Sequence, residues 1–230
     1  MDALIQTVIL TSIPLILAAT GELIAERSGV LNLGVEGMML MGAVAAFAIT
    51  SLSGNPYLGV MAAAAAGAMT AAIFAVLTLG LATNQVATGL ALTIFGTGLS
   101  GLVGAPFVGG TVDGLQAVSI PVLSDLPVLG GLLFRLDLLA YGAFLMLALV
   151  AWFLNKSRTG LILRAVGNNH DSAHALGYSV LRVRCAAVIF GGLMAGLAGA
   201  YLPLVLTPHW SEGMTAGRGW IALALVVFAS

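Results

Sequence analysis

The chain has 230 residues, 60% of them hydrophobic and only 7% charged, with a formal net charge of −1 and a mean hydropathy of +1.10. An average soluble domain carries roughly 25% charged residues, so this chain lacks the polar surface to face water. A soluble enzyme, a nucleic-acid-binding protein and a disordered segment are thereby excluded. Asp, Glu, Lys and Arg are absent between Glu36 and Asp113. That run is long enough to cross a bilayer about three times, at roughly 20 residues per helix.

Transmembrane strands would alternate apolar and polar residues, whereas these apolar runs are continuous and rich in Ala, Leu and Gly. The fold class expected is therefore all-α, a polytopic transmembrane helical bundle forming a single domain over 1–230. Met1-Asp2 precedes an apolar stretch without a basic segment, which reads as a first membrane helix rather than a cleaved signal peptide. Spans are predicted at 3–20, 35–52, 58–82, 86–104, 138–154, 185–206 and from 219 onward. The last has twelve residues counting Gly219 itself, too few for the ~30 Å hydrocarbon core, so the chain reads as truncated at its C-terminus.

Between the first two spans, Thr20 to Gly37 carries Glu22, Glu26, Arg27 and Glu36 among four glycines, with Val30, Leu31 and Leu33 alternating with Asn32 and Gly34. Non-helical backbone at membrane depth survives only against protein or a water-filled cavity. Residues 21–37 are therefore read as a broken or re-entrant segment, with Glu22, Glu26 and Arg27 forming an ion pair or network. Glu22, Asn32 and Glu36 are the candidates for a gate or translocation path; a solvated turn is the plainer reading. Glu36 also suits a helix N-terminus, where the macrodipole favours an anion. Thr83, Asn84, Gln85 and Thr88 form a second polar island, read as a tight turn.

Glycine makes up 30 residues. Gly192 and Gly196, with Gly199, and the series Gly96, Gly98, Gly101 and Gly104 predict close helix packing, because small residues let backbones approach in lipid. Residues 105–137, with Pro106, Pro121 and Pro127, are read as an irregular loop. Within it, Val122, Leu123, Val128, Leu129, Leu132 and Leu133 lie at the interface or dip into the membrane.

Five of the eight basic residues, Lys156, Arg158, Arg164, Arg182 and Arg184, fall in 155–184. The positive-inside rule makes that loop cytoplasmic. Counting back puts 105–137 outside, Asn84-Gln85 and the 21–34 turn inside, and the N-terminus outside. Within the loop, Asn169 or Asp171 can cap a short helix and Gly177 can end it. Such a helix spans about 10 Å, too short to cross a membrane and shaped, with small Ser172, Ala173 and Ala175, to enter a groove on a partner. His170 and His174 share one face but have no third ligand, so no metal site is expected. No phosphate-binding loop or catalytic constellation occurs. Cys185 alone excludes a disulfide framework.

At these stretches the sequence resembles a family. The motif GELIAERSGVLNLGVEGMMLMGA, beginning at Gly21, looks like the N-terminal motif of bacterial ABC-importer permeases. The likeness is to the group that holds branched-chain amino-acid, ribose and nucleoside permeases, nearest its nucleoside and simple-sugar branch. RTGLILRAVGNNHDSAHALGYSV (158–180) resembles that group's coupling segment, and TAGRGWIALALVVFAS (215–230) resembles a later block.

The resemblance implies a non-enzymatic, multi-pass permease subunit of a bacterial cytoplasmic (inner) membrane, moving a small polar solute, a nucleoside or simple sugar, inward by alternating access. It implies pairing with a second permease subunit, docking of ATP-binding subunits, and delivery by an extracytoplasmic solute-binding protein. ATP and Mg would then bind the partner subunits, with no cofactor on this chain. A coupling helix at 170–176 is implied, with Arg164, Gly167, Asn168, Asn169, His170, Asp171, Ala173 and Gly177 as the residues facing or shaping that contact. Relatives often have a proline where this chain has His170-Asp171. The alternative class is an ion-coupled transporter or channel without an ATPase, for which Glu36 would be the membrane carboxylate.

Overall fold

The computed structural model describes residues 2–119 and 135–229. Its helices, in chain order, are α1 (Asp2–Arg27), α2 (Val35–Ser53), α3 (Pro56–Ala75), α4 (Gln85–Gly104), α5 (Leu138–Lys156), α6 (Arg158–Asn168), α7 (His170–Ala175), α8 (Val180–Tyr201) and α9 (Arg218–Ala229). A π turn extends α3 over Val76–Gly80 and another extends α8 over Leu202–Leu206. Among the described residues, six helices, α1 to α5 and α8, are long and apolar enough to cross a membrane. This is the polytopic all-α bundle that the uninterrupted apolar runs predict. The twelve residues of α9 extend about 18 Å.

Three boundaries differ from expectation, one being α8, which starts at Val180 rather than 185 and so takes Arg182 and Arg184 into its first turns. The first span does not stop near residue 20: α1 continues through Glu22 and Glu26 to Arg27, because Glu and Arg are good helix formers. The broken segment is accordingly only 28–34. The 105–137 loop is pinned at its base by two short strands, β1 (Ala117–Ser119) and β2 (Arg135–Asp137), paired antiparallel with Ala117 opposite Asp137. The apolar residues expected to dip into the membrane, Val122 to Leu133, lie outside the described residues.

Helices α2 and α8 form the centre, with 72% of each apolar window buried, against 22% for α4 at the periphery. Their closeness comes from glycine. A Cβ on Gly196 would strike the Ala63 carbonyl of α3, and one on Gly42 of α2 would strike Gly196 itself. Three backbones therefore meet at Gly196, and Gly192 repeats the contact one turn away against Gly67 and Ala71. In lipid this packing replaces the drive that water would supply. Larger side chains, Ile13, Leu17, Met38, Phe74, Met194 and Tyr201, fill the space around these crossings.

The bundle has two chemically distinct ends. At the basic end, α6 and α7 lie between α5 and α8. At the opposite end, buried Asp137 caps α5 by accepting from Ala140 N–H (2.9 Å) and accepts from the Tyr201 hydroxyl (2.8 Å). That pair ties the start of α5 to the end of α8.

Gly196→Leu drives a side chain into two neighbouring backbones, and overpacking of this kind costs about 1–3 kcal/mol or more. The expected result is a lower melting temperature and loss of the monodisperse peak in detergent. Gly142→Ala, where an added Cβ meets nothing within 4 Å, should leave both unchanged.

Candidate functional site

The irregular stretch 28–34 leaves backbone groups without helical partners, and side chains from three helices take them up. Asn32 N–H donates to Glu22 Oε1 of α1 (3.1 Å), while Asn32 Oδ1 accepts from Gly34 N–H (3.0 Å). Leu31 N–H donates to Gln85 Oε1 (2.9 Å), Thr93 Oγ1 donates to the Leu33 carbonyl (3.0 Å), and Arg184 Nε donates to the Ser28 carbonyl (3.0 Å). Glu22 and Asn32, singled out from sequence, are thus in direct contact and both buried. Glu22 Oε2 is buried without a hydrogen-bond partner among the described residues.

Glu36, in the first turn of α2, faces a different segment. Its Oε1 accepts from Thr215 Oγ1 (2.5 Å) and Gly217 N–H (2.8 Å), and its Oε2 accepts from Gly219 N–H (2.6 Å). Gly219 sits so close that a Cβ there would meet the Glu36 backbone. One carboxylate therefore occupies the N-terminus of its own helix and satisfies the N-terminus of α9. Both ends carry positive partial charge, which favours an anion. Each hydrogen bond to a charged acceptor is worth about 1.5–3 kcal/mol.

The chain reaches Glu36 by an irregular descent from the opposite end. Thr111 and Val108, just past α4, bridge to His209 and Trp210. Trp210 then packs with Phe47, Val44 and Ala43 against Gly104, and Glu212 lies over Gly101. From Ser53 down to Glu36, the helix α2 covers about 25 Å at roughly 1.5 Å per residue. Residues 207–217 run beside this apolar helix, with Trp210 and Met214 against its middle and Thr215 and Gly217 at Glu36.

At the basic end, Ser157 Oγ caps α6 by accepting from Gly160 N–H (2.8 Å), and Asn169 Oδ1 caps α7 by accepting from Ser172 N–H (3.0 Å). Asn169 is therefore the cap, and Asp171 stands in the first turn. α7 ends at Ala175, one residue before the expected limit. Gly177, at φ +87, turns the chain away after it. His170 Nε2 and Asp171 Oδ1 lie 3.4 Å apart with side chains 59% and 90% exposed, a pair worth about 0–1 kcal/mol.

Ala173 is only 2% exposed, so its methyl group seats α7 on its own chain. Gly167, near the end of α6, packs against the Arg27 carbonyl and Gly29 N, leaving no room for a Cβ. Asn168 is the last residue of α6, and Arg164 Nε is buried without a partner among the described residues. An open cleft of about 630 Å³ separates α7 from the turn after α3, lined by Ala82, Gln85, His174, Tyr178 and Arg184.

Residues 4–230 match the family described as branched-chain amino acid transport system, permease component. The chain belongs to this permease family. It is 46% identical over 219 residues to the putative glucose ABC transporter permease protein TsgC13 of Haloferax volcanii, covering 94% of this chain and 67% of that one. It is 30% identical to the nucleoside ABC transporter permease protein NupC of Lactococcus lactis, covering 99% and 75%. It shares the same 30%, with the same coverage, with the guanosine ABC transporter permease protein NupQ of Bacillus subtilis. No solved structure matches the chain.

The protein is thus an ABC transporter permease subunit, a multi-pass membrane protein and not itself an enzyme. The family implies partners that bind ATP and solute. Two polar residues of this permease site, Thr93 and Thr215, carry no signal in the sequence, and Arg184 stands out there only as one of the basic residues of 155–184. Gln85 was visible as part of a polar island, but its partner lies 54 residues away.

Glu36→Gln replaces one acceptor oxygen with a donor amide facing an N–H or hydroxyl donor. The expected cost is about 1–3 kcal/mol, seen as a lower melting temperature and faster proteolysis within 207–217. An unchanged melt and digestion pattern would show that the carboxylate does not hold α9.

Proposed function

We propose that this permease subunit moves a neutral, hydroxyl-rich solute, a nucleoside or simple sugar, into the cytoplasm by alternating access. The energy would come from ATP hydrolysed on docked partner subunits. Support comes from the named substrates of its relatives: glucose for one, nucleosides or guanosine for two others. A largely uncharged membrane interior suits a neutral solute. The ion-coupled alternative gains no support from membership in an ABC permease family.

The observation that carries the mechanism is the path from α7 to the broken segment. In this reading α7 is the coupling helix and the basic end is cytoplasmic, as five basic residues in 155–184 require of the positive-inside rule. Exposed α7 residues meet the ATP-binding subunit, in a membrane pairing with a second permease subunit. Motion of α7 passes through α6 to Gly167, which touches Arg27 and Gly29 at the mouth of 28–34. Arg184, at the start of α8, holds the same mouth through Ser28. Glu22 and Asn32 then fix the segment's fold, as the inner gate. Arg164, Gly167, Asn168 and Asn169 shape the contact, and His170 and Asp171 face the partner.

Ala173 is a poor probe of docking because it faces inward; Asp171 and Leu176 are the better ones. Leu176 is 77% exposed, more than an isolated soluble surface would favour for so apolar a residue. In the complete transporter, reconstituted with its ATP-binding subunits, Leu176→Glu together with Asp171→Lys should cut ATP-driven uptake about tenfold or more. Both sites are exposed, so the variant's melt should match the wild type. Uptake that persists in the wild type without any ATP-binding subunit would overturn the importer reading.

A further inference from the structure

Residues 207–217 pose a physical problem that the function above does not absorb. Glu212 lies over Gly101, with its Oε1 3.1 Å from where a Cβ of Gly101 would stand. Gly101 is about 9 Å along the axis from Phe107, the end of that span. Ser211, Glu212, Gly213 and Ala216 are nonetheless exposed, and Arg218 is half-buried. An exposed carboxylate at that depth is unfavourable against hydrocarbon. Irregular backbone there is tolerated only where it lines a cavity or is buried in protein.

The chain covers one side of this segment only, through Glu36, Gly101 and the Trp210 cluster. The other side is open: a Cβ at Gly98 on α4, or at Gly213 or Gly217 on the segment, meets nothing within 4 Å. The backbone is also strained. Ala216 stands at φ +48 between Gly213 at +66 and Gly217 at +82. A non-glycine residue in that region is strained and persists only when its surroundings over-determine it. Here the over-determination is Glu36, with three bonds to 215–219, and Arg218 Nη1, which donates to the Met214 and Thr215 carbonyls (3.2 Å each).

We propose that Ser211 to Arg218 form the solute-facing wall of the permeation path, with Glu212 accepting hydrogen bonds from hydroxyl groups of a neutral polyol-bearing solute and Glu36 as the positioning residue behind it. The inference rests on the importer reading for its solute class. A carboxylate has about four acceptor positions and no donors, so it pairs with vicinal hydroxyls. The absence of side chains at Gly98, Gly213 and Gly217 lets a solute approach the backbone closely.

The test uses the complete transporter in vesicles, in a Cys185→Ser background that removes the native thiol. Ser211→Cys and Glu212→Cys are each treated with a membrane-impermeant, charged thiol reagent, with and without adenosine, uridine or glucose at saturating concentration. Ile94→Cys, at an α4 position 75% exposed in this chain, is the apolar control. The two segment cysteines should react at least about tenfold faster than the control, and one of the three solutes should slow them several-fold.

Reaction no faster than the control would mean that lipid or a second copy of the chain covers the segment. Fast reaction unaffected by every solute would mean that it faces water but not the path. Either result overturns the proposal. In transport, Glu212→Gln should raise the KM for uptake about tenfold or more with little change in Vmax; an unchanged KM also overturns it. A wild type with no ATP-driven uptake would sink the importer reading instead, and the labelling rates would still judge the wall.

Discussion

Everything distinctive in this bundle depends on one carboxylate. Within a bilayer every backbone N–H and C=O must find a partner inside the protein, and a continuous helix does so by itself. Two of this chain's irregular segments, 28–34 and 207–217, converge where α2 and α9 begin. Glu36 occupies that junction. Its two oxygens accept from Thr215, Gly217 and Gly219, and its charge is balanced by two helix N-termini rather than by a basic side chain. Carboxylate and helix ends each offset the desolvation of the other.

The same logic organises the second interruption through different chemistry. Residues 28–34 are held by Glu22 from α1, Gln85 and Thr93 from α4, and Arg184 from α8. A segment tied to three helices is sensitive to any shift among them. Gly167 brings α6 against its first residues with no intervening side chain. In the coupling proposed above, a displacement at the basic end would reach 28–34 through this backbone contact.

The sequence shows its membrane spans clearly, because uninterrupted apolar runs of twenty residues have one physical solution. It also shows Glu22, Asn32 and Glu36, since polar groups inside such runs are too costly to be incidental. The small-residue pattern at Gly192 and Gly196 correctly points to close packing. What stays hidden is partnership. Arg184 meets Ser28 across 156 residues and Thr215 meets Glu36 across 179, and neither helical periodicity nor composition encodes which turn faces which. A span ending at residue 20 is too short because polar Glu22, Glu26 and Arg27 belong to the helix rather than to the broken segment: α1 carries them, and Glu22 is buried there, accepting from Asn32 N–H. The descent of 207–217 was illegible for the opposite reason: its polar, glycine-rich composition is that of an ordinary surface loop.

The two irregular segments approach Glu36 from opposite ends of the bundle, so neither can rearrange in isolation. Movement of 28–34 alters the start of α2, where Glu36 stands in the first turn. A shift of that carboxylate stretches its short hydrogen bonds to 215–219 and leaves the strained Ala216 backbone to the bonds of Arg218 alone. Conversely, reshaping 207–217 pulls on Glu36 and so on the segment beneath it. Alternating access needs such reciprocity, because opening at one end must be linked to closing at the other, and linkage between two sites is symmetric by thermodynamic necessity. In the alternating access proposed above, that reciprocity would pass through the shared buried anion, Glu36, which binds both segments' helix starts.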